Sequence, residues 1–222
     1  MYYGDLLTAQ IDIVATGQKL LAEKLLAGSW GNLSVRIDDK RIAISPSGRG
    51  YDTLAPADIV VVDLNGKVVA GDLLPSSELP LHLAIYNNIK ECGAIVHTHS
   101  IYASACAVAR VAVPPIIEDL VQIIGGSVAC AEYALPGTDL LANNVLTAMG
   151  SKRAVLMANH GVVTWGATLK EALMIAELTE KAAQIYYISK GLGGPVLLSD
   201  EDVELMHRFY TEHYSKRQRG EE

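Results

Sequence analysis

The stretch Gly93-Ala94-Ile95-Val96-His97-Thr98-His99-Ser100 joins an apolar run to two histidines that are two residues apart. The apolar run predicts a buried β-strand, and side chains two residues apart on a strand point to the same side of the sheet. His97 and His99 therefore share one side. Two imidazoles on one face of a stiff element suit zinc or a similar ion, although histidines near strand ends also serve as hydrogen-bonded structural residues.

A third histidine and a carboxylate extend this candidate metal site. His160 closes a second strand-like run that begins at Ala154, and Glu78 ends the stretch Pro75-Ser76-Ser77-Glu78. Taken alone, the first pattern also fits a turn and the second also fits a helix start. Together the four candidates describe a metal site able to polarise a carbonyl: His97, His99, His160 and Glu78.

His82 lies four residues after Glu78, on the same face of a helix that we expect to begin at Ser76 or Ser77 and to end near residue 91. A Glu-x-x-x-His pair can bind a metal. Because three better placed histidines are present, we interpret His82 as a core residue or as a support for the ligands.

Two loops rich in small residues flank the first predicted strands, Gly28-Ser29-Trp30-Gly31-Asn32-Leu33-Ser34 and Ser45-Pro46-Ser47-Gly48. Hydroxyls, amides and close backbone approach suit a phosphate, and the same residues also fit ordinary turns. Neither loop matches the glycine-rich nucleotide-binding patterns, which disfavours nucleotide binding by those routes.

Half of the residues are hydrophobic and 19% are charged, which is an ordinary globular composition. The length suits one large domain or two small ones, and because nothing at mid-chain looks like a linker, we expect a single domain, residues 1–222. The net charge of −7 argues against non-specific nucleic-acid binding. Three cysteines without a C-x-x-C pair indicate neither a disulfide framework nor a zinc ribbon, so we expect a cytoplasmic protein. No signal-peptide pattern is apparent, and no apolar run is long enough for a membrane helix.

Hydrophobic periodicity predicts strands mixed with helices, including a first helix over residues 5–27 and a last one from Ser199 to about Tyr214. Thr168 followed by Glu171 resembles a capping box at the start of a long helix that ends at Lys190. This alternation predicts an α/β or α+β domain.

Five motifs occur in one order: Gly31-Asn32-x-Ser34, Ser45-Pro46-Ser47-Gly48, Pro75-Ser76-Ser77-Glu78, His97-Thr98-His99-Ser100 and Asn159-His160-Gly161. This series resembles the class II aldolase/adducin family, and most closely its L-fuculose-1-phosphate aldolase branch. The resemblance implies an α/β fold, a three-layer α/β/α sandwich around a mainly antiparallel sheet. It also implies a homotetramer with active sites between neighbouring subunits.

The resemblance further implies a metal-dependent aldolase that reversibly cleaves a ketose 1-phosphate to dihydroxyacetone phosphate and an aldehyde such as lactaldehyde. Zn²⁺, or Mn²⁺ or Co²⁺, would be held by His97, His99, His160 and Glu78, and Glu78 would also act as acid and base. The substrate phosphate would be cradled by Ser29, Asn32, Ser47, Gly48, Ser76 and Ser77.

One departure leaves the reaction open. The fuculose aldolases carry a catalytic tyrosine where Asp119 lies nearest in this chain. The related L-ribulose-5-phosphate 4-epimerases use an aspartate there and a dehydratase branch uses a glutamate, whereas Glu78 favours an aldolase. A C-terminal tyrosine also contributes in the family, and Tyr214 is the nearest candidate, with Tyr210 behind it. Epimerase, dehydratase and non-catalytic adducin-like scaffold thus remain alternatives.

Overall fold

A single eight-stranded sheet lies at the centre of the protein, and a computed structural model describes residues 3–215. The strands are β1 Asn32–Arg36, β2 Arg41–Ile44, β3 Val60–Asp63, β4 Val68–Ala70, β5 Ala94–Thr98, β6 Cys130–Ala131, β7 Ala154–Met157 and β8 Gly161–Gly166. The helices are α1 Leu6–Ala22, α2 Leu79–Asn88, α3 Ile101–Ala109, α4 Glu118–Ile124, α5 Asp139–Met149, α6 Leu169–Lys190 and α7 Asp200–Phe209. A short 3₁₀ turn spans Pro56–Asp58, and a π-helical turn over Tyr210–Tyr214 follows α7.

The strands lie in the order β4-β3-β2-β1-β5-β8-β7-β6. All neighbours are antiparallel except β6 and β7, which pair in parallel. Helices α1, α3, α4 and α6 pack on one face of the sheet, and α2 and α5 pack on the other. The predicted α/β fold, a three-layer sandwich with a mainly antiparallel sheet, is therefore confirmed.

Strand β5 is buried on both faces and divides the core. Ala94 and Val96 pack with α1 and α6, whereas Ile95 packs on the α2 side. The alternation of side chains along a strand therefore places His97 on the α2 side, and His97 is fully buried. This strand delivers the first ligand candidate into the space between the sheet and α2.

The first helix is shorter than its periodicity predicts. It ends at Ala22, because Lys24 adopts a left-handed conformation with φ of 61°. Leu25 and Leu26 are buried as predicted, but they reach the core from a turn and not from a helix. Apolar spacing alone could not distinguish these two arrangements.

The predicted serine cap of α2 is also wrong in detail. Glu78 is the residue that precedes the helix, and neither serine takes that position. The Ser76 hydroxyl accepts a hydrogen bond of 3.2 Å from the Glu78 N–H, so it stabilises the turn that directly precedes the helix. The helix therefore begins directly after the carboxylate that faces the histidines.

Two short elements, α4 and β6, were not predicted from the sequence. Helix α4 has only seven residues, fewer than two turns, which is too short to show a clear helical period. Strand β6 has only two residues. In the described part of the chain, every helix is too short or too polar to cross a membrane. Residues 1, 2 and 216–222 of the predicted domain lie outside the described residues.

Candidate active site

The three histidines predicted as ligands meet in one cluster. His97 ends β5, His99 follows it, and His160 comes from the turn between β7 and β8. Because β5 pairs with β8, this turn is brought beside the end of β5. The imidazole centroids lie 4.8 Å (His97–His99), 4.8 Å (His97–His160) and 5.0 Å (His99–His160) apart.

Glu78 faces this cluster from the N-terminus of α2. Its Oε2 atom lies 3.0 Å from His97 Nε2, and its Oε1 atom lies 3.3 Å from His160 Nε2. Asn32 Nδ2 donates a hydrogen bond of 2.9 Å to Oε2. Burial alone would raise the pKa of Glu78, but the charge and hydrogen bond of His97, aided by His160 and Asn32, lower it well below the ordinary value. The carboxylate is therefore ionised.

The hydrogen bonds of His97 determine which nitrogen is available to a metal. Its Nδ1 atom lies 2.9 Å from the Val162 carbonyl oxygen, which can only accept, so Nδ1 carries the hydrogen. Backbone carbonyls orient many metal-binding histidines in this way. Burial opposes the charge on His97, but Glu78 outweighs burial and raises the pKa of His97 above its ordinary value.

The other two imidazoles are neutral at neutral pH. Burial lowers the pKa of His99 to about 3, and the neighbouring His97 and His160 act in the same direction. Burial also lowers the pKa of His160 to about 4, again with help from His97. His99 and His160, as neutral imidazoles, and Glu78, as an ionised carboxylate, already have the protonation states that a divalent ion requires, whereas His97 would release its Nε2 proton when an ion binds.

The donor set fits a divalent metal ion. The ligand nitrogens of the three histidines lie within 4.8 Å of one another, and the Nε2 atoms of His97 and His99 are 3.0 Å apart. Ligand atoms around a tetrahedral zinc ion are about 3.3 Å apart, which falls inside this range. Glu78 Oε1 is buried and has no hydrogen-bond partner among the described residues. A cation between these converging acceptors would relieve their repulsion, so the triad is consistent with a divalent metal site.

A cavity of about 590 Å³ opens beside the histidines. Glu78, His99 and His160 line it, and His97 lies behind them, fully buried. All six residues predicted to cradle phosphate line the same cavity: Ser29, Asn32, Ser47, Gly48, Ser76 and Ser77. The structure thus brings the predicted metal ligands and the predicted phosphate residues into one site.

Backbone contacts hold the loops of this cavity together. Pro46 and Pro75 form an antiparallel bridge that sets the loop containing Ser47 beside the loop containing Ser76. Gly48 has a φ of 69°, and a Cβ atom there would meet nothing within 4 Å, so its backbone is open to the cavity. No lysine or arginine is found among the described residues that line the cavity. An anion bound there would meet hydroxyl and N–H groups.

Two predicted catalytic residues lie outside the cavity of this subunit. Neither Asp119 nor Tyr214 is among the described residues that line the cavity. The Asp119 carboxylate is half-exposed and forms an ion pair of 2.6 Å with Lys181 of α6. Tyr214 is also partly exposed and lies against Tyr210, with 6.0 Å between the ring centroids.

The sequence reading missed an apolar wall of the cavity. Trp30 tilts against His99, with 6.1 Å between the ring centroids, and Tyr133, Ala134 and Pro136 complete the wall. Gly137 keeps this loop close, since a Cβ atom there would lie 2.7 Å from the Ser77 carbonyl oxygen. The Pro-Gly pair at 136–137 signalled a turn, but nothing in the sequence indicated what the turn packs against.

Comparisons with known proteins agree with this geometry. The model of the class II aldolase and adducin N-terminal domain matches residues 11–187. A 5-deoxy-D-ribulose 1-phosphate aldolase of Bacillus thuringiensis is 40% identical over 194 residues, which cover 87% of this chain and 91% of the relative. The L-fuculose phosphate aldolase of Escherichia coli K12 is 34% identical over 201 residues, covering 90% and 93%.

A solved structure of an L-fuculose 1-phosphate aldolase superposes with a TM-score of 0.88 at 40% identity, covering 92% of this chain and 96% of that one. The family predicted from the five motifs is thereby confirmed. The chain belongs to the class II aldolase and adducin family, and with its histidine triad it is a metal-dependent aldolase, a carbon–carbon lyase.

Proposed function

We propose that the protein reversibly cleaves a ketose 1-phosphate, of the L-fuculose 1-phosphate type, to dihydroxyacetone phosphate and a short aldehyde. One observation carries the proposal: a single cavity holds hydroxyl-bearing loops at one part and the Glu78–triad cluster at another. Such a cavity suits a molecule that has a phosphate at one end and adjacent oxygens to be polarised at the other. The triad and Glu78 are both intact, which disfavours a non-catalytic scaffold.

The chain's own residues account for binding and proton transfer. Hydroxyls and N–H groups around Ser47, Gly48 and Ser76 hold the phosphate and so fix the position of the bond that breaks. A divalent ion at the triad would supply Lewis-acid stabilisation of the negative charge that cleavage leaves on the three-carbon fragment.

Cleavage moves one proton in total, from the carbon 4 hydroxyl to carbon 3 of the three-carbon fragment. Asp119 or Tyr214 of a neighbouring subunit handles the proton on the carbon 4 oxygen. Glu78, which is a carboxylate at rest, takes up a proton and delivers it to carbon 3. In the reverse direction Glu78 removes that proton.

The apolar wall supports a sugar whose tail ends in a methyl group. Trp30 offers ring surface beside His99, and Tyr133 and Pro136 add ring and methylene surface to the same cavity, with few polar atoms for further hydroxyls. L-Fuculose 1-phosphate and 5-deoxyribulose 1-phosphate both end in a methyl group. These are also the sugars in the names of the two relatives above.

A substrate panel tests this proposal. We expect metal-loaded protein to cleave fuculose or 5-deoxyribulose 1-phosphate at least about tenfold faster, in kcat/KM, than ribulose 1-phosphate, because a hydroxymethyl tail would lose hydrogen bonds to water at the apolar wall. Product identification by NMR supplies the readout. Equal rates on all sugars would contradict the tail assignment, and a single epimerised product would contradict an aldolase. Asp119 makes the epimerase the competing candidate.

We also propose that the chain is a single domain that assembles as a homotetramer, in which Asp119 and Tyr214 of one subunit reach the cavity of the next. Large apolar side chains are exposed at several places, including Leu74, Ile101 and Val196. Exposed apolar surface of this kind is typical of interfaces. Light scattering should give a mass near four times 23.8 kDa, and a monomeric, active protein would contradict this assembly. The three free cysteines fit a cytoplasmic location.

A further inference from the structure

Two rows of polar side chains face each other inside an otherwise apolar layer. Asn32, Ser34 and Arg36 alternate along β1 on the side that faces α2, and all three are buried. Opposite this row, polar side chains occur at every fourth residue from Glu78 at the start of α2, a spacing that places them on one helical face. The members of this second row are Glu78, His82 and Tyr86, which are also buried.

Four hydrogen bonds between the two rows form one continuous chain. The Tyr86 hydroxyl lies 2.9 Å from Ser34 Oγ, which lies 2.6 Å from His82 Nδ1. On the other side of the imidazole, His82 Nε2 lies 2.5 Å from Asn32 Oδ1. Asn32 Nδ2 then donates to Glu78 Oε2 at 2.9 Å. The chain therefore ends at the carboxylate beside the histidine triad.

Only one arrangement of hydrogens satisfies every member of this chain. The ionised Glu78 accepts, so the Asn32 amide donates to it and turns its oxygen toward His82. His82 Nε2 must then carry the hydrogen. Burial holds the pKa of His82 down at about 3, so the ring is neutral and Nδ1 accepts from Ser34. Ser34 in turn accepts from Tyr86.

We propose that His82 is a positioning residue for Glu78, an assignment that rests on the proposed function. The Nε2–H of His82 fixes the Asn32 amide with its nitrogen toward Oε2, which Asn32 then holds. Glu78 Oε1 has no hydrogen-bond partner among the described residues. This asymmetry leaves Oε1 as the oxygen that exchanges a proton with the substrate. Without His82, the Asn32 amide can rotate and present its oxygen to the carboxylate, which repels it.

Matched substitutions separate positioning from mere packing. The amide nitrogen of His82→Gln can replace the Nε2–H donor, whereas His82→Asn places its amide near Nδ1 and loses that donor. We expect His82→Asn to lower kcat by about 10- to 100-fold with little change in KM, and His82→Gln to recover most of the loss. Hydrogen–deuterium exchange of dihydroxyacetone phosphate in D₂O should slow in parallel, because that step needs Glu78. His207→Gln, the same substitution at a histidine of α7 that does not line the cavity, is the control and should keep the wild-type kcat.

Equal losses in the Gln and Asn variants, in proportion to loss of folded protein, would overturn the proposal. A second measurement needs neither a variant nor catalysis. Nitrogen-15 NMR of the wild-type, metal-free protein should show His82 as the Nε2–H tautomer, and a Nδ1–H tautomer or a charged ring at pH 7 would overturn it. If no sugar phosphate is cleaved, the proposed function fails while this tautomer is still measurable, so the two failures are distinguishable.

Discussion

Glu78→Gln is expected to lower kcat for cleavage by about 100- to 10,000-fold, the range over which general acid–base catalysis contributes. Glutamine keeps the size of the side chain but cannot accept or return a proton at neutral pH. Its amide oxygen can still accept the hydrogen bond from the Asn32 N–H, so the variant removes the acid–base group and keeps that contact. Steady-state kinetics with the metal-loaded variant gives kcat, and deuterium exchange of dihydroxyacetone phosphate reports the Glu78 step alone.

Two controls accompany this variant. Glu91→Gln removes the same charge from an exposed position after α2 and should keep wild-type kinetics. Metal content should also remain substantial in Glu78→Gln, because the three imidazoles are unchanged. A Glu78→Gln enzyme that keeps kcat within tenfold of the wild type would show that another group moves the proton.

His99→Ala is expected to lose both bound metal and activity, with kcat/KM falling roughly 1,000-fold, because the Lewis acid contributes several kcal/mol. His99 is the best ligand to remove. Its side chain lies at the cavity and is only partly buried, whereas His97 is fully buried against the Val162 carbonyl. Removal of His99 therefore disturbs the core less than removal of His97 would.

Elemental analysis and kinetics on the same His99→Ala sample provide the measurement. His213→Ala, at an exposed position in the turn that follows α7, is the matched control and should keep its metal. Undiminished metal content together with full activity in His99→Ala would remove His99 from the ligand set. Lost metal with retained activity would contradict the catalytic role of the ion.

Much of the site could be predicted from the sequence because its residues lie in short, recognisable motifs. His97 and His99 are two residues apart on a strand, and the period of the strand alone places them on one side. The loops with Ser47 and Ser76 could be recognised by composition. That they share a cavity depends on the bridge between Pro46 and Pro75, which has no local mark.

What the sequence could not supply depends on contacts between distant elements. His82 looked like a core residue or a support for the ligands, and its partner Asn32 lies 50 residues away. In hindsight, polar residues at every second position of β1 and at every fourth position of α2 were a readable signal. The wall formed by Trp30 and Tyr133 had no such period, because both residues lie in loops.

Helix ends were the least predictable part of the fold. Leu25 and Leu26 continue the apolar spacing of α1, but Lys24 turns the chain before them. Backbone geometry at one residue overrides several residues of favourable pattern there. Helix α4 is a different case, since its seven residues are too few to show the period by which a helix is recognised.

Cleavage by metal-depleted protein, before and after an ion is restored, tests the central claim most directly. Protein stripped by a chelator, and shown by elemental analysis to be metal-free, should cleave its ketose 1-phosphate at below about 1% of the original rate. Zinc, manganese or cobalt should restore the rate and give two carbon fragments. Full cleavage by the metal-free protein would contradict the account.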